Sequence, residues 1–281
     1  MELIKDMAKA LKQKYIRTKL NNGQIEVLEL IYKYRFVSRQ LLAGSLGVKP
    51  ENGLYEKLEI LVKNGYLGKW LDKSLKMQNV PAAYYLEPKA MKLLKELPKY
   101  EKIDNNTIKN SYNEKNVSAP FITLTLQIYA VSRELERLHP EIKFFTKRDL
   151  AHQNHFPKSL PDAFVSLKAN GQDKPNRYFL DVIENSTPRY KIDKLVVEYV
   201  AFFEEGGWDA TNSPLPKMLL LCESGSFERR LQRIVARKLS NLGSNDLEFF
   251  TSTLSALKSA NPTTEIWSNA EEPDELVNLF V

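Results

Sequence analysis

Residues 160–204 read LPDAFVSLKANGQDKPNRYFLDVIENSTPRYKIDKLVVEYVAFFE, and the order of elements in this stretch decides the fold of the second half of the chain. Pro161 introduces Asp162-Ala163-Phe164-Val165-Ser166-Leu167, a short apolar-rich run that predicts a strand. Gly171 to Asn176 is polar and holds both Gly and Pro, a turn by composition. Tyr178-Phe179-Leu180-Asp181-Val182-Ile183-Glu184 predicts the next strand, so the two runs form a hairpin, and 189–204 continues as a long helix. Outward from here helices and strands alternate. Leu124, Ile128, Val131, Leu135 and Leu138 recur at helical spacing up to His139-Pro140, and Ile142-Lys143-Phe144-Phe145 is a strand. Met218-Leu219-Leu220-Leu221-Cys222 is continuously apolar, the pattern of a strand buried on both faces. Residues 227–239 predict a basic helix, and 247–250 and 265–267 predict late strands. Residues 119–281 are therefore expected to form an α/β domain with a mixed sheet.

The first half is patterned differently. Residues 1–19 are helix-like and basic, an arm. Asn22-Gly23-Gln24 starts a helix with Ile25, Leu28, Ile31 and Tyr32 at helical spacing. After Phe36-Val37, Ser38 caps a second helix carrying Leu41, Leu42 and Leu46, which Gly47 ends. Pro50 is expected to open a third helix at a first-turn position, where its missing N–H costs nothing. That helix buries Leu54, Leu58, Leu61 and Val62 and stops at Asn64-Gly65. Residues 66–70 and 82–86 predict two strands around a polar, lysine-bearing tip, and 88–94 a closing helix. Residues 98–118 are rich in Asn, Lys and Ser and read as a linker, which gives three segments: 1–97, 98–118 and 119–281.

Charge follows the same division. The chain has 281 residues, 43% of them apolar and 27% charged, which excludes a disordered or collagen-like chain. The length suits two domains. Residues 1–118 carry 22 Lys+Arg against 13 Asp+Glu, a net +9, while 119–281 carries 19 against 22, a net −3. A basic first half beside a mildly acidic second half points the first half at a polyanion, or else to a lysine-rich solvated surface. No apolar run is long enough to span a bilayer, and Met1-Glu2-Leu3-Ile4-Lys5-Asp6 has no secretion signal. The single cysteine, Cys222, cannot form an internal disulfide, and a cytoplasmic setting is expected.

Three helices and then a hairpin is the order of a winged helix-turn-helix, and LVKNGYL followed by AYYLEPKAMKLL resembles many bacterial winged-helix domains. Such a unit puts its third helix in the major groove and its wing along phosphates. Arg39, Gln40, Lys49, Asn52, Tyr55, Lys57 and Lys63 then lie on or beside the reading helix, and Lys69, Lys73 and Lys76 on the wing. Lysine contacts to phosphate give affinity without sequence information. Gln40 and Asn52 are the candidate base readers, because an amide bonds adenine bidentately. Glu51, Glu56 and Glu59 on the same helix oppose phosphate, so protein docking is the alternative use of the unit.

The second half gathers carboxylates. Asp162 opens one strand of the hairpin, Asp181 and Glu184 lie near the end of the other, and Lys191 and Lys194 follow on the next helix. Two carboxylates from adjacent strands can converge on one Mg²⁺, with Asp162 and Glu184 as the candidate ligands. Such an ion polarises a phosphodiester and activates water, and a nearby lysine stabilises developing charge. Each carboxylate also has a plain alternative: Asp162 as a turn cap, Asp181 facing solvent, Glu184 paired with Arg189 or Lys191.

This arrangement resembles the PD-(D/E)xK restriction-endonuclease-like fold. More narrowly, LPDAFVSL…RYFLDVIENSTPRYKIDKLVVEYVAFF after a winged helix resembles the replication-relaxation family, which is related to the mobilisation-protein C relaxases of plasmids; the likeness spans about residues 22 to 240. The resemblance implies an N-terminal winged helix-turn-helix followed by a restriction-endonuclease-like mixed-sheet domain. It also implies work on double-stranded DNA of a plasmid or integrative element, with other mobilisation or replication proteins as partners. Aligning on Asn185-Ser186-Thr187 puts Glu184 at the second acid of the family pattern and Val182 at the first, with Asp181 one residue off. A one-residue offset turns a strand side chain to the other face. Asp181-Val182-Ile183 also lacks the acid-x-lysine lysine, so Lys191 or Lys194 would have to replace it from the helix.

Three functions follow: a DNA-binding protein with a degenerate nuclease-like domain, an active Mg²⁺-dependent nickase, or a regulator whose second half forms a homodimer. His152 and His155 have a metal-like spacing, but three histidines and one cysteine do not make a zinc site. Tyr190 or Tyr199 could serve a relaxase as nucleophile, with helix packing the plainer role for Tyr199. Arg229, Arg233 and Arg237 form a basic stripe beside Arg230, which either tracks a phosphate backbone or is simply solvated. Residues 271–275 make an acidic tail. No phosphate-cradling glycine loop, dinucleotide fingerprint or serine-hydrolase elbow occurs.

Overall fold

Asn21 caps the first helix reciprocally: its side chain accepts from the Gln24 N–H at 2.9 Å, and Gln24 Oε1 accepts from the Asn21 N–H at 3.0 Å. Helix α1 (Asn22–Tyr34) buries Val27, Leu28 and Ile31 and ends at Arg35, which holds a positive φ of 68°. Strand β1 (Val37–Ser38) leads into α2 (Arg39–Leu46), where the Ser38 hydroxyl accepts from the Leu41 N–H and Gly47 supplies the left-handed end. Helix α3 (Asn52–Lys63) starts two residues after Pro50, with Glu51 as its N-cap, so Pro50 lies outside the first turn it was expected to open. Strands β2 (Leu67–Trp70) and β3 (Ala83–Leu86) form the hairpin, β1 adds to it in the order β1-β3-β2, and α4 (Pro88–Lys95) closes the unit. This is the winged-helix order expected. At its tight point Gly68 faces Tyr85 across the hairpin, where a Cβ would come 2.1 Å from the tyrosine ring.

The computed structural model describes residues 20–71, 82–168, 174–244 and 246–280. The chain divides into two compact units, Met1–Tyr129 and Ala130–Val281, and the division falls inside helix α6 (Ala119–Leu138). Residues 98–118, read as a linker, are folded in the first unit. A 3-10 turn (Pro98–Tyr100), helix α5 (Asn105–Asn110) and a second 3-10 turn (Ser111–Asn116) bury Ile103, Ile108 and Ser111. Glu114 is buried there too, and Arg35 Nε donates to both its oxygens at 2.8 and 2.9 Å. Isolated apolar residues among Asn and Lys gave no periodicity to read, because the anchor is an ion pair. Phe36, Ala83, Tyr85 and Ile122 form the core beside it.

The second unit is built on one seven-stranded sheet, in the order β10-β9-β8-β7-β6-β5-β4. Strands β4 (Lys143–Thr146), β5 (Ala163–Leu167) and β6 (Asn176–Ile183) form an antiparallel meander, with the short helix α7 (Lys147–Leu150) directly after β4. Helix α8 (Arg189–Glu204) then crosses to β7 (Lys217–Cys222), parallel to β6. Helix α9 (Gly225–Leu242) crosses to β8 (Phe249–Thr253), parallel to β7. Helix α10 (Leu254–Ser259) and strands β9 (Trp267–Asn269) and β10 (Leu276–Val277) complete it. Helices α8 and α9 cover one sheet face, where Phe179, Ile183, Met218 and Leu220 meet Val196, Tyr199, Leu231 and Val235. The mixed α/β class expected from the sequence is the one the structure has. Among the described residues no helix is long and apolar enough to cross a membrane.

Candidate functional site

The register of three strands builds the site. Ala163 pairs with Leu180, and Thr146 pairs with Ala163. One rung further on, antiparallel geometry sets Lys147 beside Asp162 and Asp162 beside Asp181, with Asp181 registered against Leu220 of β7. Lys147, Asp162 and Asp181 therefore form a row on the face covered by α8. Lys147 Nζ donates to Asp162 Oδ1 at 2.6 Å, and the Val182 N–H donates to Asp162 Oδ2 at 3.0 Å. The Asp162 N–H donates to Asp181 Oδ1 at 3.1 Å, and the Tyr199 hydroxyl donates to Asp181 Oδ2 at 2.6 Å. All four carboxylate oxygens thus accept from the protein.

Both acids are buried, at 7% and 6% exposure, so their charge state depends on these donors. Burial first, and then the neighbouring Asp162 carboxylate, push the Asp181 carboxyl up to about 7, against the pull of Tyr199, Lys147 and the Asp162 N–H. Burial likewise drives the Tyr199 hydroxyl well above its ordinary range, with Asp181 adding to it. Burial lowers the Lys147 ammonium, but the Asp162 carboxylate outweighs it and raises that group overall. At neutral pH the row holds a Lys147–Asp162 ion pair beside a carboxyl poised between its neutral and charged forms.

Asp162 and Asp181 are brought together, and Glu184 is not part of the pair. Glu184 lies one residue beyond β6 and shares strand parity with Leu180 and Val182, the opposite face. It is half-buried, with no side-chain partner among the described residues. Lys191 is exposed, and Lys194 pairs with Glu198 at 3.5 Å; no hydrogen bond or ion pair joins either lysine to the acids among the described residues. The lysine at the acids is Lys147, from the far side of the meander. Its only sequence signal was its place directly after a strand, in Thr146-Lys147-Arg148-Asp149, where Thr146 and Asp149 form a capping box. Tyr199 does pack, and also bonds Asp181. His155 stacks near Phe156 and Trp208. Among the described residues no group of three or more His, Cys, Asp or Glu is placed to hold a metal ion.

In the first unit three elements, α2, α3 and β2, meet at Tyr55. The Arg39 guanidinium lies 5.5 Å from the Tyr55 ring centre and Lys69 Nζ 5.7 Å from it, and Tyr55 is 42% exposed. Lys69 also donates to Glu59 at 2.7 Å, and the Tyr84 hydroxyl donates to the same oxygen at 3.4 Å. Glu59, an acid expected to oppose phosphate, is thus tied up by a wing-strand lysine. Gln40, Lys49 and Lys63 are exposed, and Asn52 is the first residue of α3. Lys57 is turned to α1, with Nζ 3.0 Å from where a Cβ on Gly23 would sit. Lys73 and Lys76 lie outside the described residues.

No family model matches the chain, so the likeness to replication-relaxation proteins gains no support there. No curated protein matches it either. Among solved structures, the restriction endonuclease FokI aligns with 84% of this chain and 42% of its own, at 12% identity and a TM-score of 0.33. The chain thus spans less than half the length of that endonuclease.

Chemically, the row can hold and release one proton and can lock three strands in register. An exposed tyrosine flanked by two cations in a winged-helix unit offers a flat ring and positive charge to an anionic partner.

Proposed function

We propose that this chain is a double-stranded-DNA-binding protein of a plasmid or integrative element, acting in replication, relaxation or mobilisation, and that its nuclease-like second unit does not cut. The observation that carries this reading is the closed carboxylate pair, Asp162 and Asp181 held by Lys147, Tyr199 and two backbone N–H groups, in a chain whose first unit has winged-helix order. Winged-helix order, the Arg39–Tyr55–Lys69 cluster and the +9 charge of residues 1–118 support the DNA partner.

The donor set does not fit a resident Mg²⁺. That ion takes near-octahedral oxygen ligands and keeps several waters. At Asp162 it meets an ammonium already on Oδ1, and at Asp181 a carboxyl that burial drives toward neutrality. Glu184, the second ligand expected from the sequence, belongs to the other face by parity.

Two assays on the full chain test the reading. Binding to duplex DNA is expected to weaken steeply with salt, because each neutralised phosphate releases counterions. Supercoiled plasmid is expected to stay supercoiled with Mg²⁺ as with EDTA. Nicking that needs Mg²⁺ and is lost in Asp162→Ala would overturn the non-cutting part, and a shallow salt dependence would overturn the DNA part.

A further inference from the structure

Helix α9 carries arginine charge that no carboxylate pairs with among the described residues; a side-chain hydrogen bond there runs from Arg233 Nε to the Arg229 carbonyl at 3.1 Å. Its inner face buries Phe227, Leu231, Ile234, Val235 and Leu239 against the sheet. Its outer face exposes Arg229, Arg230, Arg233 and Arg237, 4 of the 12 arginines of a chain that otherwise prefers lysine. The one acid within the helix, Glu228, turns inward to accept from the Thr251 hydroxyl at 3.1 Å. Among the described residues no ion pair joins any of the four arginines to a carboxylate. Four of the 19 basic residues of 119–281, a half whose net charge is −3, thus share one helix face.

We infer that the outer face of α9 is a second DNA-contact surface, one that grips the phosphate backbone of a duplex without reading its bases. The inference rests on the DNA-binding reading of the chain and adds a place of contact outside the winged helix. Positions 229, 233 and 237 rise about 6 Å per step along one helix side, a line of three forks. Guanidinium matches phosphate bidentately, which an ammonium cannot, and that is the chemistry selected by four arginines on this face. A guanidinium can also bond a guanine edge, so contact to phosphate alone is distinguished by equal binding to duplexes of unrelated sequence.

The test is a salt titration of the full chain on a mixed-sequence duplex, comparing the natural protein with R229Q/R233Q/R237Q and with the winged-helix variant K49Q/K63Q. Far-ultraviolet circular dichroism confirms that each variant keeps its fold. The triple variant is expected to flatten the slope of log K against log salt by about 2 to 3, at roughly 0.9 per phosphate contact. It should do so equally on duplexes of unrelated sequence. An unchanged slope for the triple variant beside a flattened one for K49Q/K63Q overturns the α9 surface and leaves the DNA reading standing. No salt-dependent binding by the natural protein overturns both. A slope change seen with single-stranded RNA and absent with the duplex also overturns it, since the partner is then a different polymer.

Discussion

Asp181→Asn tests the electrostatics of the buried row. The Asp181 carboxyl is raised to about 7 by burial and by the adjacent Asp162 charge, whereas an aspartate in an unfolded chain titrates near ~3.9. Between those values the folded protein holds a proton that the unfolded chain has released, so stability falls as pH rises. The contribution is complete below about pH 4 and is lost as pH passes about 7. Roughly three pH units at about 1.4 kcal/mol each amount to about 4 kcal/mol. Asparagine copies the neutral acid in shape and cannot ionise. Its oxygen keeps one donor, and the Tyr199 hydroxyl, which accepts as well as donates, takes the amide N–H. Urea unfolding from pH 4.5 to 8.5 measures the effect, followed by tryptophan emission, to which Trp208, lying among Phe156, Phe179 and Phe203, contributes together with Trp70 and Trp267. Subtracting the two proteins' curves cancels groups common to both, including Glu228, which burial also raises. The variant is expected to match the natural protein near pH 4.5 and to exceed it by about 3 to 4 kcal/mol at pH 8. A pH-independent difference, or a natural protein that gains on the variant as pH rises, refutes a neutral-leaning Asp181.

Three further outcomes follow from the same geometry. Tyr199→Phe removes the hydroxyl that holds Asp181 down, so the pH midpoint of the stability loss is expected to move upward, read by the same urea series. Lys147→Met leaves Asp162 buried without its ammonium and is expected to cost about 2 kcal/mol at pH 7, read by urea unfolding. Gly68→Ala drives a methyl group into the Tyr85 ring, and a loss of about 1 to 3 kcal/mol is expected in the first unit, followed at Trp70; an unchanged midpoint would mean that the hairpin yields there freely.

Element order was legible because it is written in local signals. The cap at Ser38, left-handed ends at Gly47 and Gly65, and the unbroken apolar run into Cys222 each act within a few residues, and each marks its boundary. The carboxylate row was only half legible, because it depends on register. Asp162 and Asp181 are 19 positions apart across a turn whose composition does not state how many residues it spends, and Lys147 lies across a second connection, 15 positions from Asp162. Matching motifs along the chain favoured Glu184, whereas pairing across the sheet selects Asp181, since strand parity admits only one of them to the face that Asp162 occupies. The same register explains how two acids persist in an apolar core. Lys147 ties β4 to β5, the Val182 and Asp162 N–H groups tie β5 to β6 through side-chain oxygens, and Tyr199 ties α8 to the sheet. A one-residue slip of any of these strands would bury a charge against Leu or Phe with no donor facing it, at a cost of several kcal/mol. The acids thereby enforce the pairing that places them, a role that requires neither an ion nor a bound water.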